Sequence, residues 1–190
     1  MVTTLKRCVT NPVETNRRVT EQHIRILDTS RLALRQLSLA DAPLVLELLN
    51  EPGWLRFIGD KGVRNLEDAC TYLRTGPMTS YELYGFGLYL VERTSDAQPL
   101  GMCGLLKRDT LPDVDIGFAL LERHHGYGYA REAASGVMAY ARSTLRLKRI
   151  LAITTVDNVA SARVLEGIGM QFERMIKMAD EPELRLFGTR

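Results

Sequence analysis

No stretch constrains this chain more than Val114 to Ala134, V-D-I-G-F-A-L-L-E-R-H-H-G-Y-G-Y-A-R-E-A-A, where a strand pattern runs through a glycine-rich turn into an amphipathic helix. In that helix Ala130, Ala133, Ala134, Val137, Met138, Ala141 and Leu145 recur at intervals of three and four, so one face must pack on a sheet. Backbone N–H groups at the opening of such a helix have no intrahelical partner and sit at the positive end of its dipole. With Gly126 and Gly128 letting the main chain come close, they make an anion site that suits a diphosphate without cationic side chains.

The helix reads as a crossover. Arg149 to Val156 is a β-branched strand, and a strand-helix-strand unit of this length returns parallel and right-handed. Upstream, Arg31-Leu-Ala-Leu-Arg-Gln-Leu alternates as a half-buried strand does. Helices are expected over Ala42 to Asn50, behind a cap at Ser38 or Asp41, and near Leu66 to Arg74, capped by Asn65. Pro52-Gly53-Trp54 and Gly59 to Gly62 read as loop between them. After Gly76-Pro77 the period changes. Phe86 to Arg93, Leu100 to Arg108 and Val114 to Leu121 are three strands whose short turns imply an antiparallel meander. A shorter helix, Val159 to Glu166, stops at Gly167 to Gly169, and Gln171 to Met178 with Glu183 to Phe187 closes the chain as a hairpin. The expected fold is α/β: a mixed, mostly antiparallel sheet of seven strands with helices on both faces. It forms one domain over residues 22–190, behind a polar, flexible arm over residues 1–21.

At 190 residues the chain has enough length for one substantial core. Its net charge is only +2 and its arginines are scattered, which excludes the basic stripe of a nucleic-acid binder. Cys8, Cys70 and Cys103 are odd in number and widely spaced, which argues against a disulfide framework and against clustered zinc ligands. No metal, no membrane and a cytoplasmic setting are therefore expected, the last because neither a spanning run nor a secretory segment is visible.

Other glycine loops fit worse. A dinucleotide fingerprint needs a third glycine where Ala130 falls one position early, and the Gly-Lys-Ser/Thr of a nucleoside triphosphatase is absent. The glycines could instead serve only the turn. A second segment, Asp157-Asn158-Val-Ala-Ser161-Ala-Arg163-Val-Leu-Glu-Gly-Ile-Gly169, follows the parallel strand directly. Local structure accounts for part of it, since Asn158 is a good N-cap and Gly169 a good left-handed residue beyond the helix.

Taken together, Arg123-x-x-Gly126-x-Gly128 with Tyr129-Ala130-Arg131, and the Asn-x-x-Ser segment at Asn158, resemble the GNAT superfamily of N-acetyltransferases. The likeness spans roughly Arg31 to Phe187, and R-L-A-L-R, Pro99-Leu-Gly-Met-Cys-Gly and D-I-G-F-A-L look most like the branch of ribosomal-protein N-terminal acetyltransferases. It implies a parallel strand pair that splays apart to admit pantetheine. It also implies acetyl-CoA as cosubstrate, with Phe118, Ala119, Leu120 and Leu121 along the pantetheine and Arg123, His125, Gly126, Tyr127, Gly128, Tyr129, Ala130 and Asn158 completing the cofactor site. The implied partner is an amine acceptor, a small molecule or a protein N-terminus, and the implied assembly a monomer or homodimer. Two departures stand out: Val164-Leu165-Glu166 occupies the place of a tyrosine acid, and Gly169-Met170 that of Gly-Phe.

With the tyrosine missing, Asp115 is the candidate to take the amine proton and Ser161 the candidate to contact the thiol. Each has a plainer reading, a solvated strand residue and a first-turn hydroxyl. A thiol is already a good leaving group, so positioning and backbone donors can supply most of the rate. His124 stands beside His125 at the same loop. Trp54 and Tyr84, with Phe57, Tyr81 and Phe86, are aromatics that either line the acceptor site or serve the core. Cys103 reads as a buried hydrophobe. Two rivals to acetyl transfer are a non-catalytic acyl-CoA-binding or regulatory module on the same fold, and a protein-interaction domain using the exposed aromatics.

Overall fold

The computed structural model describes residues 24–178 and 183–190; the arm expected over residues 1–21 lies outside them. One sheet organises the molecule, built from β1 (Arg25–Asp28), β2 (Leu32–Gln36), β3 (Leu88–Arg93), β4 (Gln98–Leu106), β5 (Asp115–Leu120), β6 (Leu151–Thr155), β7 (Gln171–Ile176) and β8 (Leu184–Gly188). Their spatial order is β1-β2-β3-β4-β5-β6-β8-β7. Every neighbouring pair is antiparallel except β5 and β6. The sheet thus has eight strands rather than the seven expected. β1 is the addition: Ile26 and Leu27 are adjacent instead of alternating, so no period of two marks it, and only pairing with β2 makes it a strand.

Helices cover both faces. On one, α1 (Ala42–Leu49), α2 (Pro52–Phe57) and α3 (Leu66–Leu73) bury Val45, Leu48, Leu49, Trp54 and Leu73 against Leu90 and Met102 of the sheet. α2 replaces an expected loop, because Pro52 at its first position presets the helical φ and the Trp54 indole N–H closes the far end on the Gly59 carbonyl at 3.1 Å. Asn65 caps α3 as the sequence indicates, accepting the Glu67 and Asp68 N–H groups at 2.9 and 3.0 Å. The chain does not break at Gly76-Pro77. A widened turn over Arg74–Met78 takes in the proline ring and continues into α4 (Thr79–Tyr84), with the Thr75 and Thr79 hydroxyls donating to the carbonyls of Thr71 and Arg74. On the other face, α5 (Tyr129–Ser143) and α6 (Val159–Gly167) seat Ala133, Ala134, Val137, Ala141 and Leu165 on Leu32, Val91, Leu100 and Ile116. Burying each leucine of these layers is worth about 1.5–3 kcal/mol, the main reason the helices stay docked.

Candidate functional site: a forked strand pair and a glycine loop

β5 and β6 share a single residue pair, Asp115 with Leu151, supported by the Leu151 N–H donating to the Val114 carbonyl at 2.9 Å. From there the strands part, leaving a fork in the middle of the sheet. Main-chain groups along a strand point alternately to its two edges. The Leu121 N–H donates to Leu100 of β4 at 2.9 Å. Leu121 and Ala119 are thereby spent on β4, while the main-chain groups of Ile116, Phe118 and Leu120 face the fork. Of the four residues expected along the pantetheine, the alternation keeps Phe118 and Leu120 on the open edge and turns Ala119 and Leu121 away from it.

The arm formed by β5 ends at the glycine loop. Gly126 and Gly128 have φ of +81° and +79°, and Gly128 stands as N-cap of α5 in the left-handed conformation. Among the described residues, no carbonyl or side chain accepts from the amides of Gly126, Tyr127, Gly128, Tyr129 or Ala130. The positive end of a 15-residue helix therefore opens beside the fork with its donors free. The residues fit a diphosphate there and an extended thioester-bearing arm below it.

The candidate side chains fall into distinct places. Asp115 lies where the fork closes, 1% exposed, with both carboxylate oxygens 3.1 Å from the Arg108 Nε. Burial pushes its carboxyl pKa up, and Arg108 pulls it partly back. Ser161, in the first turn of α6, stands past the end of the β6 arm; its N–H donates to the Asn158 Oδ1 at 3.0 Å. Asn158 is thus an N-cap in this structure, and Asp115 and Ser161 belong to opposite ends of the β6 arm. Gly169 has φ of +87° beyond α6. Leu165, beside the place of the absent tyrosine, is 2% exposed and packs into the core.

Arg123 is engaged in an ion pair with Glu47 of α1, and His125 donates its Nε2–H to the Leu120 carbonyl at 2.8 Å, on the fork edge rather than toward the loop amides. His124 has its Nε2 buried with no hydrogen-bond partner; burial lowers its pKa, and the cations Arg123 and Arg93 lower it further. Trp54, expected at the acceptor site, is 6% exposed with its indole N–H satisfied, so it serves the core. Tyr84 is 46% exposed and stacks on Phe86, an open position at the end of α4. Tyr81 is taken up in a stack with Tyr89. Cys103 is fully buried, which pushes its thiol pKa up and away from nucleophilic use. Among the described residues, no three His, Cys, Asp or Glu side chains are grouped to hold a metal ion.

Several residues at the site carry no local sequence signal. Glu51 accepts the Glu122 N–H at 3.0 Å, and Arg56 pairs with Asp157 at 2.8 Å, so α2 and its N-cap are tied to both arms of the fork. Arg31 and Glu132 form a cluster beneath the glycine loop. Each partner lies 70 or more residues away along the chain, beyond the reach of a periodicity argument.

The family model of the acetyltransferase (GNAT) domain matches residues 31–171. The uncharacterized N-acetyltransferase YoaA of Bacillus subtilis is 29% identical over 153 residues, which cover 80% of this chain and 86% of that protein. An acetyltransferase from Agrobacterium tumefaciens superposes with a TM-score of 0.74 at 26% identity, covering 86% of this chain and 93% of its own. The ribosomal alpha-N-protein acetyltransferase RimL, solved in complex with coenzyme A, shares the fold with a TM-score of 0.74 at 19% identity, over 86% of this chain and 96% of its own. With the forked strands and the glycine-opened helix in place, the chain belongs to the acetyltransferase (GNAT) domain family.

Proposed function

We propose that the protein is a cytoplasmic enzyme that moves an acetyl group from acetyl-CoA to a primary amine by direct attack. The observation that carries this reading is the fork between β5 and β6, which leads to an unengaged row of amides at Gly126 to Ala130. The coenzyme A held by RimL, a protein of the same fold, supports the choice of ligand. In this reading the loop amides hold the diphosphate and the pantetheine pairs with Phe118 and the Leu120 N–H on the open edge, the Leu120 carbonyl being taken by His125. The amine lone pair attacks the thioester carbonyl carbon and the C–S bond breaks. The thiolate leaves and the amine proton passes through water to Asp115; Ser161, at the opposite end of the β6 arm, is left without a part in this step. A buried carboxylate whose pKa is raised suits that proton acceptor better than an ordinary surface one.

Calorimetry with coenzyme A, followed by a thiol-release assay against N-terminal peptides, polyamines, amino acids and aminoglycosides, tests both halves of the proposal. No binding at millimolar coenzyme A would remove it. A second reading, a non-catalytic acyl-CoA-binding module, draws on Leu165 filling the core beside the place of the missing acid. Binding without turnover of any acceptor would favour it.

A further inference from the structure

Arg31 and Glu132 are 101 residues apart in the chain, yet they form the most densely bonded polar cluster around the glycine loop. Glu132 sits in the first turn of α5. Its Oε1 accepts from the Thr29 hydroxyl at 2.6 Å, the Ser30 hydroxyl at 3.0 Å and the Arg31 N–H at 2.8 Å, and its Oε2 accepts from the Arg31 Nε at 2.7 Å and forms an ion pair with Nη2 at 2.6 Å. The guanidinium lies over the Tyr129 ring, 4.7 Å from its centroid, and its Nη1 donates to the Tyr127 carbonyl at 3.1 Å.

Two consequences follow for an anion at the loop. The peptide joining Tyr127 to Gly128 is planar and trans, so a carbonyl drawn to Arg31 turns the Gly128 N–H to the opposite side. That amide has no acceptor among the described residues. A carboxylate in the first turn of α5 would also repel a diphosphate bound at the helix end, and Arg31 cancels it at close range. We propose that Arg31 is a positioning residue for the cosubstrate, one that aims the Gly128 amide and neutralises Glu132 without itself taking part in acetyl transfer.

The proposal rests on the acetyl-CoA reading above, and its test separates the two. Wild type, Arg31→Met, Arg31→Lys, Glu132→Gln and the double variant Arg31→Met/Glu132→Gln are compared by calorimetric titration with coenzyme A, by inorganic pyrophosphate as competitor, and by steady-state kinetics on the first acceptor that turns over. Arg31→Met should weaken coenzyme A and pyrophosphate by the same factor, about tenfold, appearing in KM with kcat little changed. Arg31→Lys should recover the charge but only part of the affinity, because one ammonium cannot serve both the carboxylate and the carbonyl. The double variant should bind more tightly than Arg31→Met alone. Unchanged affinity in Arg31→Met, a loss confined to kcat, or a double variant no better than the single would overturn the assignment of Arg31. Failure of the wild type to bind coenzyme A would instead overturn the acetyl-CoA reading and this inference with it.

Discussion

At Asp115 two opposing effects meet. Burial disfavours its charge and Arg108 favours it, and the balance leaves the carboxyl pKa raised. The folded protein therefore holds this proton more tightly than the unfolded chain does. Asp115 contributes stability below the ordinary carboxylate pKa of about 3.9, and that contribution is lost as pH rises through its raised folded value. At neutral pH the buried charge opposes folding, and Arg108, 39% exposed, can be solvated without it. Asp115→Asn should thus keep or raise the melting temperature at pH 7 while cutting kcat by about 10²-fold and abolishing the acid limb of the rate profile; thermal melts and a pH–rate series check both. Gly128 poses a backbone question instead. An alanine there must adopt φ near +79°, and its Cβ would lie 3.6 Å from the Arg31 guanidinium, an ordinary contact. Conformation alone should then set the cost of Gly128→Ala, about 1 kcal/mol in denaturant unfolding, together with weaker coenzyme A binding as the amides shift.

Among the elements, the helices that border the fork are held by two unlike sets of contacts. α1 is anchored by Val45, Leu48 and Leu49, all essentially inaccessible, whereas α2 reaches the β6 arm through Arg56 and Asp157, with side chains 66% and 55% exposed. An exposed ion pair contributes about 0–1 kcal/mol, and a buried leucine truncated to alanine costs about 2–5 kcal/mol. Arg56→Ala should accordingly unfold at nearly the wild-type denaturant midpoint, and Leu48→Ala well below it. Most of these elements could be read from local patterns. Alternation marked β2, short turns between apolar runs marked β3 to β5, a β-branched run marked β6, the three-and-four spacing marked α5, and Asn65 and Asn158 announced their helices. α2 and β1 could not, since Pro52-Gly53 carries a turn signal and β1 has no alternation, and both are formed by what they pack or pair against.

Among the described residues, the molecule is built on one continuous sheet opened at one place. Every neighbouring strand pair but one is joined along its length; β5 and β6 meet at a single pair. A ligand that fills this opening and binds only the folded state must stabilise the protein. Coenzyme A at a hundred times its dissociation constant should add about 2.7 kcal/mol, a rise in melting temperature of roughly 5–10 °C for a chain of this size. A differential-scanning melt with and without coenzyme A measures it, and no shift at saturation would mean that the fork is not the binding place. By itself the sequence determined that a strand, a left-handed glycine turn and an amphipathic helix follow one another at Val114 to Ala134, because φ and helical periodicity are local properties. Only the tertiary structure decided at which residue β5 and β6 part, that Trp54 turns into the core, that Ala119 and Leu121 face β4, and that Arg31 meets Glu132 beneath the loop. Those outcomes depend on strand register and on contacts between residues far apart in the chain, which no local period encodes.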